Sequence, residues 1–411
     1  MKTSDPEQSA CSEEVSAVYP EKVAFTRLSL IPAPIRGLFV RMWSIIHHEF
    51  TEHTLFSVSL IVAAVTSCFS KPQWGYIDVK VLVCLFELML IVKALEEYGL
   101  LGHIAVNIVN RCRDERRLTI GLCVISFLLS MFTTNDVAIL TVIPILIIIA
   151  QTCGFSAAVP CVLITAAANL GSSTTPIGNP QNLYIFSFYR MSPASFFRDS
   201  LPLCLISLLL LTASCLLIRP KKIQTKLDGI PVTEKKKVTA FLWLAVPVIA
   251  GVLNLIPYEL TLLLVLVIAT ILDRALIRKL DYRLLLTFLF LFVAVGNISH
   301  MPELKGQLAA LTATSFKTYV SALFLSQIIS NVPGTVMLAP FTTHTRELFY
   351  GVNIGGLGTP IASLASIIAY SLFCQTFPQK KLQFIRAFLI YNFGLLVVLG
   401  AVFAVVIIAN I

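Results

Sequence analysis

ANLGSSTTPIGNPQN at 168–182 and NIGGLGTPIAS at 353–363 carry one pattern written twice. Asn169, Gly171, Thr175, Pro176 and Ile177 in the first keep the same offsets as Asn353, Gly355, Thr359, Pro360 and Ile361 in the second. Both stand in apolar sequence. Asn, Gly and Pro at membrane depth free backbone groups that lipid cannot satisfy, which is tolerable only where that backbone is buried in protein or faces a wet cavity. A second pair lies upstream in each half. Thr134, Asn135 and Asp136 are followed by Pro144, nine places after the Asn, and Ser330, Asn331 and Val332 by Pro340, again nine after. Broken hydrophobic segments at corresponding places in two halves point to the binding region of a repeat-built transporter.

Composition sets the solvent. With 57% hydrophobic and 13% charged residues over 411 positions, a water-soluble globule would expose more apolar surface than such proteins tolerate. The chain reads as an all-α polytopic membrane protein, with the lipid bilayer as its surroundings. Its net charge of +9 does not indicate nucleic acid, because Lys and Arg sit in short loops between apolar runs. The N-terminal stretch carries Lys2, Glu7, Glu13, Glu14, Lys22 and Arg27 without an apolar core of signal-peptide length, so the N-terminus is expected inside. The ten cysteines lie mostly in apolar runs, without CxxC spacing, and read as small core hydrophobes. No Walker loop, HExxH or GxSxG is present, and the six His cluster only at His47 and His48. An enzyme, a cofactor and ATP-driven transport by this chain alone are therefore not expected.

A span needs about 20 apolar residues. Nine crossings follow, near 54–70, 79–97, 157–188, 200–218, 239–256, 258–273, 283–300, 350–373 and 385–410. The stretches 118–151 and 317–345 are interrupted at mid-length by the Asn motifs, and read as re-entrant hairpins with tips at Asn135 and Asn331. A hairpin returns the chain to the side it left, and on that count the basic groups at 111–117, 219–237, 274–283 and 380–386 all fall on the cytoplasmic side. The hairpins then enter from opposite faces, which makes the halves an inverted repeat with two broken transmembrane helices. The C-terminus is expected outside. Domain boundaries follow as a cytoplasmic segment 1–53, a first repeat 54–218, a basic linker and connecting helix 219–256, and a second repeat 257–411. Segments 101–113 and 303–316 look amphipathic and suit the interface.

The chemistry is read from the tips and breaks. Asn offers a donor and an acceptor, a neighbouring hydroxyl adds a third group, and a half-helix starting at the tip aims its positive end at the cavity. Donors suit an anion; freed carbonyls around Gly171 and Gly355 suit Na⁺. Asp136 has two readings, a functional intramembrane carboxylate that binds Na⁺ or carries a proton and a helix cap. Asn179, Gln181 and Asn182 either set selectivity or cap a restarted helix. Glu87 in mid-span is a transport residue or a structural partner.

At these residues the chain resembles the ion transporter superfamily of divalent-anion/sodium symporters, citrate transporters, arsenite permeases and NhaD-type antiporters. The resemblance covers nearly everything after residue 50. It implies a scaffold, a mobile part holding the hairpins, elevator-like movement and a homodimer. It places a small anionic substrate at Thr134, Asn135, Thr175, Asn179, Ser330, Asn331 and Thr359. A coupling Na⁺ or H⁺ falls to Asp136, Asn169, Gly171, Asn353 and Gly355, with Asn135 and Asn331 also open to Na⁺. Dicarboxylate symporters of this kind read Ser-Asn-Thr at both tips, whereas here one Thr has become Asp136 and the other Val332. That change resembles the arsenite permease and antiporter branches. The functional expectation is a secondary active transporter of an inorganic oxyanion or carboxylate, with a cation/proton antiporter or arsenite-type efflux permease as the rival and a structural membrane protein as the non-transporter alternative.

Overall fold

The computed structural model describes residues 54–223 and 227–409. The expected cytoplasmic segment 1–53 lies outside the described residues, as does Lys226 of the linker. The chain divides into two compact units, Met1–Val58 and Ser59–Ile411, the second of which holds nearly all of the described residues. Among the described residues this second unit is helical, and β pairing is confined to one antiparallel bridge between Asp114 and Lys222.

Before the 219–237 linker the chain runs through α1 (Thr54–Ser67), α2 (Val79–Glu97), α3 (Leu100–Val109), α4 (Glu115–Phe132), α5 (Asn135–Cys153), α6 (Ala158–Ser172), α7 (Pro180–Phe188) and α8 (Pro193–Leu216). The connecting helix is α9 (Lys235–Val252). After it come α10 (Tyr258–Asp273), the short α11 (Ala275–Arg278), α12 (Tyr282–Ser299), α13 (Pro302–Leu311), α14 (Ser315–Ile329), α15 (Asn331–Leu338), α16 (Thr345–Gly355), α17 (Leu364–Thr376), α18 (Lys381–Ala387) and α19 (Phe393–Ile408). A π-helical turn at Phe388–Asn392 joins the last two. Helix exteriors present Leu209, Leu217, Ile271 and Ile408 to the surroundings, as lipid-facing helices do.

Both hairpins and both breaks are present. Only Thr133 and Thr134 separate α4 from α5, and the two helices pack together; α14 and α15 pair in the same way across Ser330. The broken spans are α6 with α7, interrupted at 173–179, and α16 with α17, interrupted at 356–363. Each hairpin's first arm packs on the first half of its own repeat's broken span, α4 on α6 and α14 on α16. Each second arm packs on the second half of the other repeat's broken span, α5 on α17 and α15 on α7. Exchange of this kind is what an inverted repeat about a shared axis produces.

Helix length alone identifies fewer crossings than the nine expected from hydropathy. Asn135–Cys153, Pro193–Leu216, Tyr282–Ser299 and Pro378–Ile408 are each long and apolar enough by themselves, and the first of these is a hairpin arm. The others fall short for physical reasons. Breaks end α6 and α16 early, α2 carries Lys80, Glu87, Lys93, Glu96 and Glu97, and α9 begins on Lys235, Lys236 and Lys237. What distinguishes arm from span is where the tip lies. Asn135, the first residue of α5, donates to Asn169 near the end of α6 at 2.9 Å, after the chain has run out along one helix and back along the other. The tip is therefore level with the break.

Loop contacts bear on the crossing count independently. The 111–117 and 219–223 loops are hydrogen-bonded, Glu115 N to Lys221 O at 2.8 Å and Ile223 N to Arg113 O at 3.1 Å. Lys221 also donates to Gly154 O, Gln383 donates to Ser156, and Lys279 pairs with Glu97. All four basic groups thus share one face. The opposite face gathers Tyr76 with His300, Asp78 with Ser187, Lys80 with Asn254, and Tyr189 with the 339–342 turn. Of the two interfacial candidates, α13 has no buried residue, rests only Leu308 against the large core and turns 107° into α14. By contrast α3 buries Leu101, Ala105, Val106 and Val109 against its neighbours.

Two hydrophobic cores result. The large one collects the hairpins, the broken spans, α3, α8, α12, α18 and α19, and reaches Val81, Cys84 and Leu85 of α2 and Val252 of α9. A smaller one joins α2, α9, α10 and α11 around Leu90, Phe241, Leu244, Val265 and Leu276.

Candidate functional site

The repeat is close enough to place equivalent atoms. Gly171 and Gly355 let the first half of each broken span close onto its hairpin arm. A Cβ on Gly171 would lie 2.6 Å from Ser130 Oγ, and one on Gly355 2.9 Å from Ser326 Oγ. Ser130 and Ser326 each stand five residues before the tip Asn. Thr175 donates to Met131 O in the first half, and Thr359 donates to Gln327 O at 2.9 Å in the second. Both Thr hydroxyls thereby tie a break to its hairpin through a backbone carbonyl. Gln327 adds bonds to the second break, accepting from Thr359 N and donating to Gly355 O.

The two halves meet through amides. Asn169 Oδ1 accepts from Asn135 Nδ2 of the first tip and from Ser363 Oγ of the second break, each at 2.9 Å. Asn353, its equivalent, accepts from Asn179 at 3.3 Å and donates to Asn182 Oδ1 at 2.8 Å. Asn179 and Ser363 occupy the same place in the repeat, as N-caps of α7 and α17. Each break therefore sends its cap residue to the Asn of the other break. Asn169 also donates to Gly356 O, and a Cβ on Gly356 would lie 2.8 Å from Asn331 Nδ2. Both tips thus abut one cluster of buried amides.

The tips differ in detail. Thr134 caps α5 by accepting from Val137 N, whereas Ser330 has φ +78°, a region disfavoured for any residue with a Cβ, and donates to Ala362 O. Asp136 stands in the first turn of α5, and its Oδ1 is buried without a hydrogen-bond partner. Thr134 and Asn135, not Asp136, supply the local caps. Thr174 Oγ1 at the first break and Ser366 Oγ at the start of α17 are likewise buried and unpartnered, and such groups call for an explanation in a native fold.

Four helix N-termini, those of α5, α7, α15 and α17, begin at these tips and breaks; the C-terminal carbonyls of α4, α6, α14 and α16 end there. N-termini favour anions and C-terminal carbonyls favour cations. Glu87 is elsewhere, fully buried in α2 and accepting from Thr261 of α10 at 2.8 Å. Lys93, on the same helix, pairs with Glu96. Sequence reasoning left Ser363, Gly356 and Gln327 out of the site. Ser363 was recoverable, since it holds the repeat position of Asn179; Gln327 was not, because Met131 stands in its place in the first half.

The sequence profile described as citrate transporter matches residues 45–348. The chain belongs to the citrate transporter family. Inner membrane protein YbiR of Escherichia coli K12 is 31% identical over 306 residues, covering 73% of this chain and 82% of that one. An uncharacterised transporter of Methanocaldococcus jannaschii is 32% identical over 303 residues, 72% of this chain and 81% of its own. The silicon efflux transporter LSI3 of Oryza sativa subsp. japonica is 32% identical over a shorter stretch of 146 residues, 36% of this chain and 30% of that one. Among solved structures, the Alcanivorax borkumensis YdaH transporter aligns over 88% of this chain and 98% of its own, with a TM-score of 0.54 at 16% identity; that likeness concerns the fold. The protein is an integral membrane transporter.

Proposed function

We propose that this transporter is a secondary carrier of a small anion, an inorganic oxyanion or a carboxylate, coupled to Na⁺ or H⁺. The observation that carries the reading is the crossed amide cluster, Asn135 and Ser363 on Asn169 with Asn179 on Asn353. It places neutral donors and four helix N-termini at one buried locus, which suits an anion without a buried Lys or Arg. The carbonyls ending α6 and α16 and the unpartnered Asp136 Oδ1 suit the coupling cation. A family described as citrate transporters makes citrate and other carboxylates the first substrates to test, and a relative named for silicon efflux adds uncharged or weakly acidic oxyacids.

The two cores support an elevator in which α2, α9 and α10 stay fixed, as part of a homodimer, while the hairpins and broken spans move. The basic face is assigned to the cytoplasm by its charge. Proton-coupled antiport is the second reading, favoured by Asp136. Purified protein in liposomes, given citrate, arsenite or silicic acid under imposed Na⁺ or pH gradients, tests both. Gradient-driven accumulation of one of them supports the carrier, cation exchange with none transported supports antiport, and no flux of either kind refutes both.

A further inference from the structure

On the face opposite the basic loops, two contiguous cavities of about 440 and 540 Å³ share Asp78, Lys80 and Phe188. The first is walled by Tyr76, Tyr184, Tyr258 and Phe292, and the second is completed by Ser187, Arg190 and Asn254. The walls come from both groups of helices, α2 and the α9–α10 turn on one side and α7 on the other.

The charged groups lining this space are not equivalent. Asp78 is engaged by the protein, one oxygen accepting from Val81 N as the cap of α2 and the other from Ser187 Oγ. Lys80 is held by Asn254 Oδ1, a neutral partner, and among the described residues neither Lys80 nor Arg190 forms an ion pair. Arg190 sits at an unusual place. It follows the C-cap of α7 with φ +49°, and Met191 N closes the turn on Phe186 O at 3.0 Å. Glycine is the usual residue there, since a Cβ is disfavoured in the left-handed region. Asn254 occupies the same position after α9, with φ +62° and Leu255 N bonded to Ala250 O at 2.8 Å. Two of the three non-glycine residues with positive φ among those described therefore line this one space; the third is Ser330 at the second tip. Asn is tolerated at such a position, so the strain falls on Arg190, and strain held in place by its surroundings concentrates at functional positions.

We infer that this cavity is an anion vestibule on the face opposite the basic loops, in which Lys80 and Arg190 concentrate small anions before they reach the amide cluster. The inference rests on the reading of the protein as an anion carrier and adds a second, cationic station to it. The lining carries two cations against the one carboxylate of Asp78, and a net positive cleft raises the local concentration of small anions by about tenfold.

The test does not require the substrate. In a Cys68→Ser background, Ser187→Cys places a thiol in the vestibule, and its modification rate is compared for an anionic methanethiosulfonate (ethylsulfonate) and a cationic one (trimethylammonium). The anionic reagent should be favoured, and Arg190→Gly with Lys80→Gln should lower the anionic-to-cationic rate ratio about tenfold. Arg190→Gly alone should melt no lower than the parent, because glycine relieves the backbone. An unchanged ratio in the double variant, or a lower melting temperature for Arg190→Gly with the ratio intact, overturns the vestibule and makes Arg190 structural. Repeating the assay in purely zwitterionic liposomes and in liposomes with anionic lipid separates a soluble anion from a lipid headgroup: a preference lost only with anionic lipid identifies a headgroup occupant and also overturns the inference. Failure of the carrier reading would show instead as absent flux with the reagent preference preserved.

Discussion

Gly171→Ala is the most direct probe of how the first break is held. An added Cβ would meet the backbone carbonyl of Phe127, Phe127 Cα at 2.7 Å and Ser130 Oγ at 2.6 Å. Two of these three atoms belong to backbone and cannot turn aside, so α6 must back away from α4 by several tenths of an ångström. Overpacking of this kind costs about 1–3 kcal/mol, against a gain of about 1 kcal/mol from replacing glycine in a helix. The expected net loss is up to about 2 kcal/mol. At Gly355 the nearest atoms are Ser326 Cβ and Oγ at 2.8 and 2.9 Å, with the Leu323 carbonyl at 3.1 Å, so Gly355→Ala should cost less. Gly394 has nothing within 4 Å of its added Cβ, so Gly394→Ala should be neutral or stabilising. Thermal unfolding of the three purified variants should therefore give melting temperatures in the order Gly171→Ala, Gly355→Ala, Gly394→Ala, lowest first. Displacing α6 also pulls Asn169 from Asn135, so Gly171→Ala should raise the KM of transport. A Gly171→Ala protein as stable and as active as the parent would refute the close approach of α4 and α6, and with it the alignment that puts the tip level with the break.

Asp136→Asn keeps the shape of the first tip and removes the charge, so uptake in liposomes should lose its Na⁺ or pH dependence while the protein still folds; unchanged ion dependence would return the cation to the carbonyls near Gly171 and Gly355. Glu87→Gln preserves an acceptor for Thr261 and should leave ion dependence intact, whereas Glu87→Ala should lower the melting temperature; altered coupling in Glu87→Gln would assign Glu87 to transport. Asp114→Cys with Lys222→Cys, a directly opposed antiparallel pair, should cross-link under mild oxidation, and absence of cross-linking would separate the two basic loops. Single cysteines in the 219–237 linker and at Pro257 should label from opposite sides of sealed vesicles, and labelling from one side would remove the crossing count.

The hairpins and breaks were legible because membrane depth imposes a simple rule: apolar runs of sufficient length cross, and Asn, Gly and Pro within them must be explained. The repeat of Asn169–Ile177 in Asn353–Ile361 needed nothing beyond the order of residues. Partner choice is another matter. Whether Thr175 faced a ligand or the Met131 carbonyl, and which amide Asn353 would take, depends on where helices far apart in sequence cross. Asn353 and Asn182 are separated by 171 residues, and Glu87 and Thr261 by 174. Glu87 shows the limit most clearly, since its place in mid-span left a transport role and a structural pairing both open, while packing supplied a hydroxyl from α10. Local rules fix which segments lie in the membrane and where they must break; only the crossing of the two repeats decides which polar groups those breaks satisfy.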